Sequence, residues 1–128
     1  MKRRTILAFM LDRPGVLNKV SMLIRKKMYN VDTLTVCSSR VKGISRMTIT
    51  LEEDDMRKVD QVIRQLEKFT EVISVKELDT DNSYWREVAI VKLEVDSDHL
   101  KSFHGKYNFE ILDQKSEDIH ILQVAGST

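Results

Sequence analysis

The order of apolar patterns in the first 78 residues constrains the fold more than any other feature of the sequence. Strand patterns alternate apolar and polar residues or are continuously apolar, whereas helix patterns repeat apolar residues at three- and four-residue spacing. Read in chain order, these patterns predict β, α, β, β, α and β segments over residues 5–11, 16–27, 31–39, 44–51, 55–69 and 72–78. The two middle strands flank a Lys42-Gly43 turn signal and are typical of a hairpin.

Each predicted helix has a single apolar stripe, and right-handed crossovers place both helices on one face of a sheet. We therefore expect a ferredoxin-like α+β sandwich over residues 1–79. A polar, turn-prone segment over residues 79–83 predicts a linker. Strands over 87–95, 109–112 and 119–125, with a short helix over 97–104, then predict a second, incomplete ferredoxin-like unit over residues 80–128. That unit lacks the last helix and strand of the pattern.

The charge balance excludes partners that are attracted by a strong net field. Against 20 acidic side chains there are 21 basic ones, for a formal net charge of +1, so we expect neither a nucleic acid nor a membrane partner. The basic runs at residues 2–4 and 25–27 are short, and we interpret them as solvated surface. The single cysteine, Cys37, cannot form an intramolecular disulfide, and a reducing, cytoplasmic location is expected.

The sequence shows no constellation of residues typical of catalysis or metal binding. The three histidines lack metal-ligand spacing, and each is expected to be a surface or partly packed side chain. Cys37 has no histidine near it in sequence, which favours a packed thiol over a nucleophile. The acidic run at residues 52–55 precedes a helix and is interpreted as a capping feature. We therefore predict no catalytic residue, no metal and no cofactor.

The turn at residues 12–17, Asp-Arg-Pro-Gly-Val-Leu, is the remaining candidate for chemistry. It lies between the first strand and the first helix, whose N-terminus presents free backbone N–H groups and a positive dipole end. A ligand carboxylate could bind those N–H groups, and the acidic side chain beside them could hold a ligand ammonium. Alternatively, this is a tight connection in which Asp12 only hydrogen-bonds to the backbone. Both interpretations stay open on physical grounds.

Residues 11–17, Leu-Asp-Arg-Pro-Gly-Val-Leu, resemble the turn motif of ACT domains, which are ferredoxin-like modules that bind amino acids. Four further stretches resemble, in order, those of the small, regulatory subunit of acetolactate (acetohydroxyacid) synthase; they are residues 29–36, 44–49, 86–92 and 122–127. The resemblance covers essentially the whole chain. It implies a subunit without catalytic activity that binds and activates the thiamine-diphosphate-dependent catalytic subunit. It further implies feedback inhibition by valine or a related branched-chain amino acid.

The resemblance also implies where the effector amino acid binds, between two ACT domains of a homodimer. One side of that site would be lined by Asp12, Gly15, Val16 and Leu17, and the other by the partner's Asn30 and Val31. Asp12 and the partner's Asn30 would hold the ammonium and carboxylate groups. The open edges of a ferredoxin-like sheet independently favour a homodimer, because two edges can pair into one continuous sheet.

The chain departs from the family pattern in three places. The family usually has asparagine at the position of Asp12 and glycine at the position of Met28, so the first helix must end without a glycine cap; Asn30 is the residue we expect to end it. The family also continues for several tens of residues beyond Thr128. The departures at Asp12 and at the C-terminus support an alternative, a stand-alone ACT-type amino-acid sensor that acts on a different partner.

Overall fold

The computed structural model describes residues 2–79 and 81–127, and it divides into two compact units, Met1–Ser83 and Tyr84–Thr128. The first unit contains β1 (Arg3–Leu11), α1 (Val16–Lys27), β2 (Val31–Ser38), β3 (Ile44–Glu52), α2 (Met56–Glu67) and β4 (Val72–Leu78). The sheet order is β2-β3-β1-β4, with every neighbouring pair antiparallel. This is the ferredoxin-like arrangement predicted from the order of the patterns, and the prediction is confirmed.

The core of the first unit lies between one sheet face and the two helices. Alternate residues of β1 point into it, and Ile6, Ala8 and Met10 are at most 2% exposed. The sheet and the helices also contribute Met47, Ile49, Leu51, Val16, Val20, Val59, Val62 and Leu66. On the opposite sheet face Leu7 and Phe9 of β1 are only partly buried. The apolar run of β1 therefore combines a fully covered face with a half-covered one.

A β-bulge at Asp32 changes the orientation of the first residue of β2. Val31 lies opposite Leu51, but Thr33 lies opposite Thr50, so the register shifts by one residue between them. Strict alternation along β2 predicts that Val31 and Thr33 point to the same sheet face. This prediction is wrong, because Asp32 is an extra residue in the strand and Val31 therefore points to the core face. The Asp32 carboxylate accepts a hydrogen bond of 2.8 Å from the Arg3 guanidinium.

Helix α1 ends in a different way from the one predicted. The residue in the left-handed conformation is Met28, at φ 56° and ψ 35°, and not Asn30. The Tyr29 N–H donates to the Ile24 carbonyl at 3.2 Å, and the Met28 N–H donates to the Arg25 carbonyl at 3.1 Å. These two bonds form a Schellman motif, which commonly has glycine at the position of Met28. The motif thus forms here without the glycine.

Helix α2 begins at the acidic run, as predicted. The Asp55 carboxylate accepts a hydrogen bond of 2.9 Å from the Arg57 N–H, and the Glu53 carboxylate accepts from the Asp54 and Asp55 N–H groups at 3.1 Å each. The Arg57 guanidinium also donates to Asp55 and holds the pKa of that carboxyl below its usual value. The acidic run is therefore a capping feature.

The second unit contains a smaller sheet and one short helix. Its elements are β5 (Glu87–Glu94), α3 (Ser97–Ser102), β6 (Phe109–Gln114) and β7 (Ile119–Gly126), with the antiparallel order β5-β7-β6. Its fully buried residues include Leu100, Leu122 and His120. His120 is 2% exposed, so the expectation of a surface or partly packed histidine is wrong there: central strand β7 carries it on the face of Leu93.

Candidate functional site

The turn between β1 and α1 is held by backbone hydrogen bonds from neighbouring segments. The Leu11 N–H donates to the Glu71 carbonyl at 2.8 Å, and the Asp12 N–H donates to the Gly43 carbonyl at 2.9 Å. Glu71 also forms an ion pair with Lys19 of α1, which lowers the pKa of the Glu71 carboxyl. Glu71 and Gly43 therefore position the turn, although nothing in the local sequence around either residue marks this role.

Gly15 is the residue that turns the chain into α1. It occupies the N-cap position in the left-handed conformation, at φ 87° and ψ −11°. A Cβ atom added there would meet no atom within 4 Å. Glycine is thus favoured by the backbone conformation and not by lack of space. The gap above this residue is also wide enough for atoms of a ligand to approach the backbone.

The N-terminus of α1 is not closed by the protein's own side chains. Among the residues that the structure describes, no side chain caps it, and its first turn contains no acidic residue. The first N–H groups of a helix have no intrahelical partner, and the positive dipole end favours an anion. The first of these groups, the Val16 N–H, makes a single long hydrogen bond among the described residues, to the Arg13 carbonyl at 3.4 Å. This end of α1 therefore keeps backbone N–H donors available to an anion.

The acidic side chain of the turn is also available. Asp12 is exposed, and within the described residues no hydrogen bond or ion pair reaches its carboxylate. Its backbone N–H, not its side chain, ties the turn to Gly43. The interpretation in which the Asp12 carboxylate serves only to hold the backbone therefore finds no support in the structure.

The two apolar residues predicted to line this side differ in exposure. Val16 is 5% exposed and belongs to the core, whereas Leu17 is 46% exposed. Only the side chain of Leu17 is in a position to contact a ligand at the surface. Val16 can contribute its backbone, while its side chain anchors the start of α1 beneath the turn.

The other predicted site residues, Asn30 and Val31, lie at the opposite end of the same sheet. Val31 of β2 is opposite Leu51 of β3, which is opposite Arg4 near the start of β1, whereas Asp12 follows the end of β1. The seven steps from Arg4 to Leu11, the end of β1, span roughly 23 Å at about 3.3 Å per residue. Asn30 is exposed and Val31 is partly buried. One chain therefore does not bring the two halves together.

Other candidate chemistry in the described residues is limited. No group of three or more His, Cys, Asp or Glu side chains there is arranged to hold a metal ion. Cys37 is half-buried and accepts a hydrogen bond of 3.5 Å from the Arg46 guanidinium. His99 forms an exposed ion pair with Asp96, which raises the pKa of His99. Within residues 2–79 and 81–127, no helix has the length and apolar character needed to cross a membrane.

Comparison with known proteins assigns a family to this arrangement. The family model of the AHAS small subunit-like ACT domain matches residues 6–74. A probable acetolactate synthase small subunit of Archaeoglobus fulgidus is 34% identical over 127 residues, which are 97% of this chain and 78% of that protein. The acetolactate synthase small subunit of Mycolicibacterium smegmatis is 38% identical over 86 residues, which are 67% of this chain and 50% of that protein.

The same family appears among solved structures. The crystal structure of the acetolactate synthase small subunit from Thermotoga maritima matches with a TM-score of 0.87 and 26% sequence identity, covering 98% of this chain and 80% of that one. The chain spans about half the length of its mycobacterial relative and a larger share of the other two. On the family model and the archaeal relative together, the chain belongs to the acetolactate synthase small-subunit family and carries its ACT domain.

Proposed function

We propose that this chain is a non-catalytic regulatory subunit, which binds and activates the catalytic subunit of acetolactate synthase and confers feedback inhibition by valine or another branched-chain amino acid. In this proposal, residues 1–79 are the amino-acid-binding ACT domain, and residues 80–128 are a partial C-terminal domain of the small-subunit type. Membership of the family supports the assignment. The observation that carries it in this chain is the open N-terminus of α1 beside an unpaired Asp12.

The chemistry of that turn matches an α-amino acid. Unpaired backbone N–H groups after Gly15 are suited to a carboxylate, and the Asp12 carboxylate, within about one turn of them in sequence, is suited to an ammonium group. Leu17, which is 46% exposed, offers an apolar contact for an aliphatic side chain. These three features together favour a zwitterion with an apolar side chain over a simple anion.

A homodimer would complete the site with the partner's Asn30 and Val31. Strand β2 is an edge of the sheet, and Leu34 and Val36 on it are 39% and 40% exposed. Antiparallel pairing of two β2 edges would place the start of one β2 beside the end of the other. The end of β2 lies level with the end of β1. The start of the partner's β2, with the partner's Asn30, would therefore lie at the same end of the sheet as Asp12.

The assignment is tested by assaying the catalytic subunit with and without this chain over a valine titration. We expect the chain to raise acetolactate synthesis and valine to reverse part of that increase. Calorimetry with valine, leucine and isoleucine identifies the effector. Amino-acid binding without any effect on the catalytic subunit would instead favour the stand-alone sensor.

Intersubunit complementation tests whether two chains share the site. Gly15→Asp and Asn30→His should each abolish the effector response in a homodimer. In a heterodimer of the two variants, one site contains both substitutions and the other contains neither, so about half of the effector binding should return on mixing. Absence of any recovery in a verified heterodimer, or an unaltered response in either single variant, would refute the shared site. A monodisperse monomer at micromolar concentration would refute it as well.

A further inference from the structure

Helix α1 carries an exposed surface that is both basic and apolar. A shallow depression of about 670 Å³ is lined by Lys19, Met22, Leu23, Arg25, Lys26 and Phe69, and we call it the α1 groove. Met22 is 62% exposed, and Leu23 and Phe69 are partly buried against the core. The groove thus offers an apolar floor beside a large exposed side chain, with cations along its rim.

The positive charge of this surface is not neutralised by the protein itself. Residues 13–29 contain five basic side chains and no acidic one. Lys19 is paired with Glu71, but within residues 2–79 and 81–127 no ion pair reaches Arg25 or Lys26. Arg4 and Lys58 of the same unit have carboxylate partners, whereas Arg40 and Lys42 have none among the described residues, so it is the combination with the apolar groove that distinguishes Arg25 and Lys26. The helix dipole favours cations in the last turn of α1, yet it does not account for the exposed apolar groove beside them.

We propose that the α1 groove is the docking surface for an acidic, amphipathic segment of the acetolactate synthase catalytic subunit. This inference rests on the proposed function, which supplies that partner. Apolar side chains of the segment would pack against Met22 and Phe69, and its carboxylates would pair with Arg25 and Lys26. A segment that lays an apolar face in a groove while its charges meet the rim is a common mode of recognition by proteins.

The shape of the surface favours a polypeptide over an anionic membrane. A helix that binds a membrane surface presents a wide apolar face to the lipid. Here Met22 is the prominent apolar side chain of the groove, while Leu23 and Phe69 are recessed. A depression with a recessed floor is filled by side chains of another protein more readily than by a flat lipid surface.

The turn at residues 12–17 and the two unpaired cations of the groove lie at opposite ends of α1. Gly15 precedes the first turn of α1, whereas Arg25 and Lys26 lie in its last turn, about 15 Å further along at 1.5 Å per residue. Substitutions at Met22, Arg25 and Lys26 therefore leave the turn at residues 12–17 chemically intact. This separation allows the docking of the partner and the binding of the effector to be measured independently.

The test measures affinity for the catalytic subunit, at two salt concentrations, for the unmodified chain, three groove variants and one control variant. Arg25→Glu/Lys26→Glu should weaken the complex more than tenfold, and Arg25→Gln/Lys26→Gln should weaken it less and lower its salt dependence. Met22→Ser should also weaken the complex but leave the salt dependence unchanged. The matched control, Arg40→Glu/Lys42→Glu, reverses two exposed charges of the β2–β3 turn and should bind like the unmodified chain. Effector affinity and thermal unfolding verify that each variant is folded.

Three outcomes would overturn the inference. Equal affinities for the groove variants and the control would refute docking at α1, while leaving activation of the catalytic subunit, and so the proposed function, intact. Failure of the unmodified chain to bind the catalytic subunit would refute both. The third outcome concerns phosphatidylglycerol vesicles. If the unmodified chain sediments with them and Arg25→Glu/Lys26→Glu does not, while that variant binds the catalytic subunit with unchanged affinity, the groove is assigned to a lipid surface.

Discussion

The two helices that cover the sheet of the first unit have the same length but begin in opposite ways. The N-terminus of α2 is closed by Asp55, whose carboxylate accepts the Arg57 N–H. The N-terminus of α1 begins at a left-handed Gly15 and has no side-chain cap. A capped terminus uses its donors for stability, whereas an uncapped one retains them for another anion. The contrast supports the proposal that the start of α1 binds an effector, whereas the start of α2 serves stability.

The C-termini of the same helices differ as well. Helix α1 ends with Met28 in the left-handed conformation, whereas α2 ends with Lys68 at φ −74° and ψ −17°, in the ordinary helical region. The left-handed conformation is costly for a residue with a Cβ atom. Of these two helix ends, the strained one therefore belongs to α1, the helix that follows the turn at residues 12–17 and carries the α1 groove.

The largest effect is expected from giving α1 the acidic cap that it lacks. In Gly15→Asp the new carboxylate would occupy the N–H groups proposed to bind the effector, and we expect at least a tenfold loss of affinity, about 1.4 kcal/mol. Titration calorimetry with the effector measures it. Gly15→Asn is the matched control, because asparagine also tolerates the left-handed conformation but has no charge, and it should lose less affinity. Undiminished binding to the Asp variant would remove the contrast between the two helix starts.

Removing the cap of α2 should affect stability and not binding. In Asp55→Ala the Arg57 N–H loses its acceptor, so we expect the midpoint of thermal unfolding to fall by a few degrees. Asp55→Asn keeps an acceptor oxygen at the cap and should lose less. Thermal unfolding monitored by circular dichroism, together with effector calorimetry, separates the two effects. A change in effector affinity in Asp55→Ala would mean that the two helix starts are not independent.

Relieving the strain at the end of α1 should stabilise the protein. Met28→Gly removes a left-handed penalty of about 1–2 kcal/mol and adds a chain-entropy cost of about 0.5–1 kcal/mol. Because Met28 is 89% exposed, little packing is lost, and a net gain of about 0.5–1 kcal/mol in the free energy of unfolding is expected. Urea unfolding measures it. The reciprocal variant Lys68→Gly has no strain to relieve and should destabilise; a gain in both variants would contradict the explanation.

The smallest effect is the pH dependence of the α2 cap. The Arg57 side chain and then its N–H lower the folded-state pKa of Asp55. The contribution of the ionised Asp55 carboxylate to the free energy of unfolding is thus fully present above the unfolded-state pKa of about 3.9. This contribution is lost as the pH falls through the lower folded-state pKa. Urea unfolding from pH 7 to pH 2.5 should show the difference between the unmodified chain and Asp55→Asn shrinking below about pH 4. A difference that persists unchanged at pH 2.5 would exclude this origin.

The order of the elements and several of their limits were predictable from the sequence, because they depend on local patterns. The predicted bounds of α1 and β4 match those observed, Val16–Lys27 and Val72–Leu78. The acidic cap of α2 was also predictable, since Asp55 acts on an N–H group two residues away. Local interactions of this kind are encoded within a few residues and are read directly from periodicity and residue type.

Features set by pairing between distant segments were not predictable in the same way. The bulge that turns Val31 toward the core depends on the register between β2 and β3. Glu71 and Gly43 accept hydrogen bonds from the turn because the start of β4 and the turn of the β2–β3 hairpin both lie beside the end of β1. A left-handed Met28 is likewise contrary to local preference, and the helix packing and Schellman bonds around it favour the conformation.

The sequence by itself determined the ferredoxin-like order and located the turn at residues 12–17, because apolar periodicity and the Pro14-Gly15 break are local signals. Only the tertiary structure decided which of those residues are free. It buries Val16, exposes Leu17, leaves Asp12 unpaired among the described residues, and places Asn30 at the far end of the sheet. The physical reason is that exposure and distance depend on strand order and register, which are set by hydrogen bonds between segments far apart in the chain.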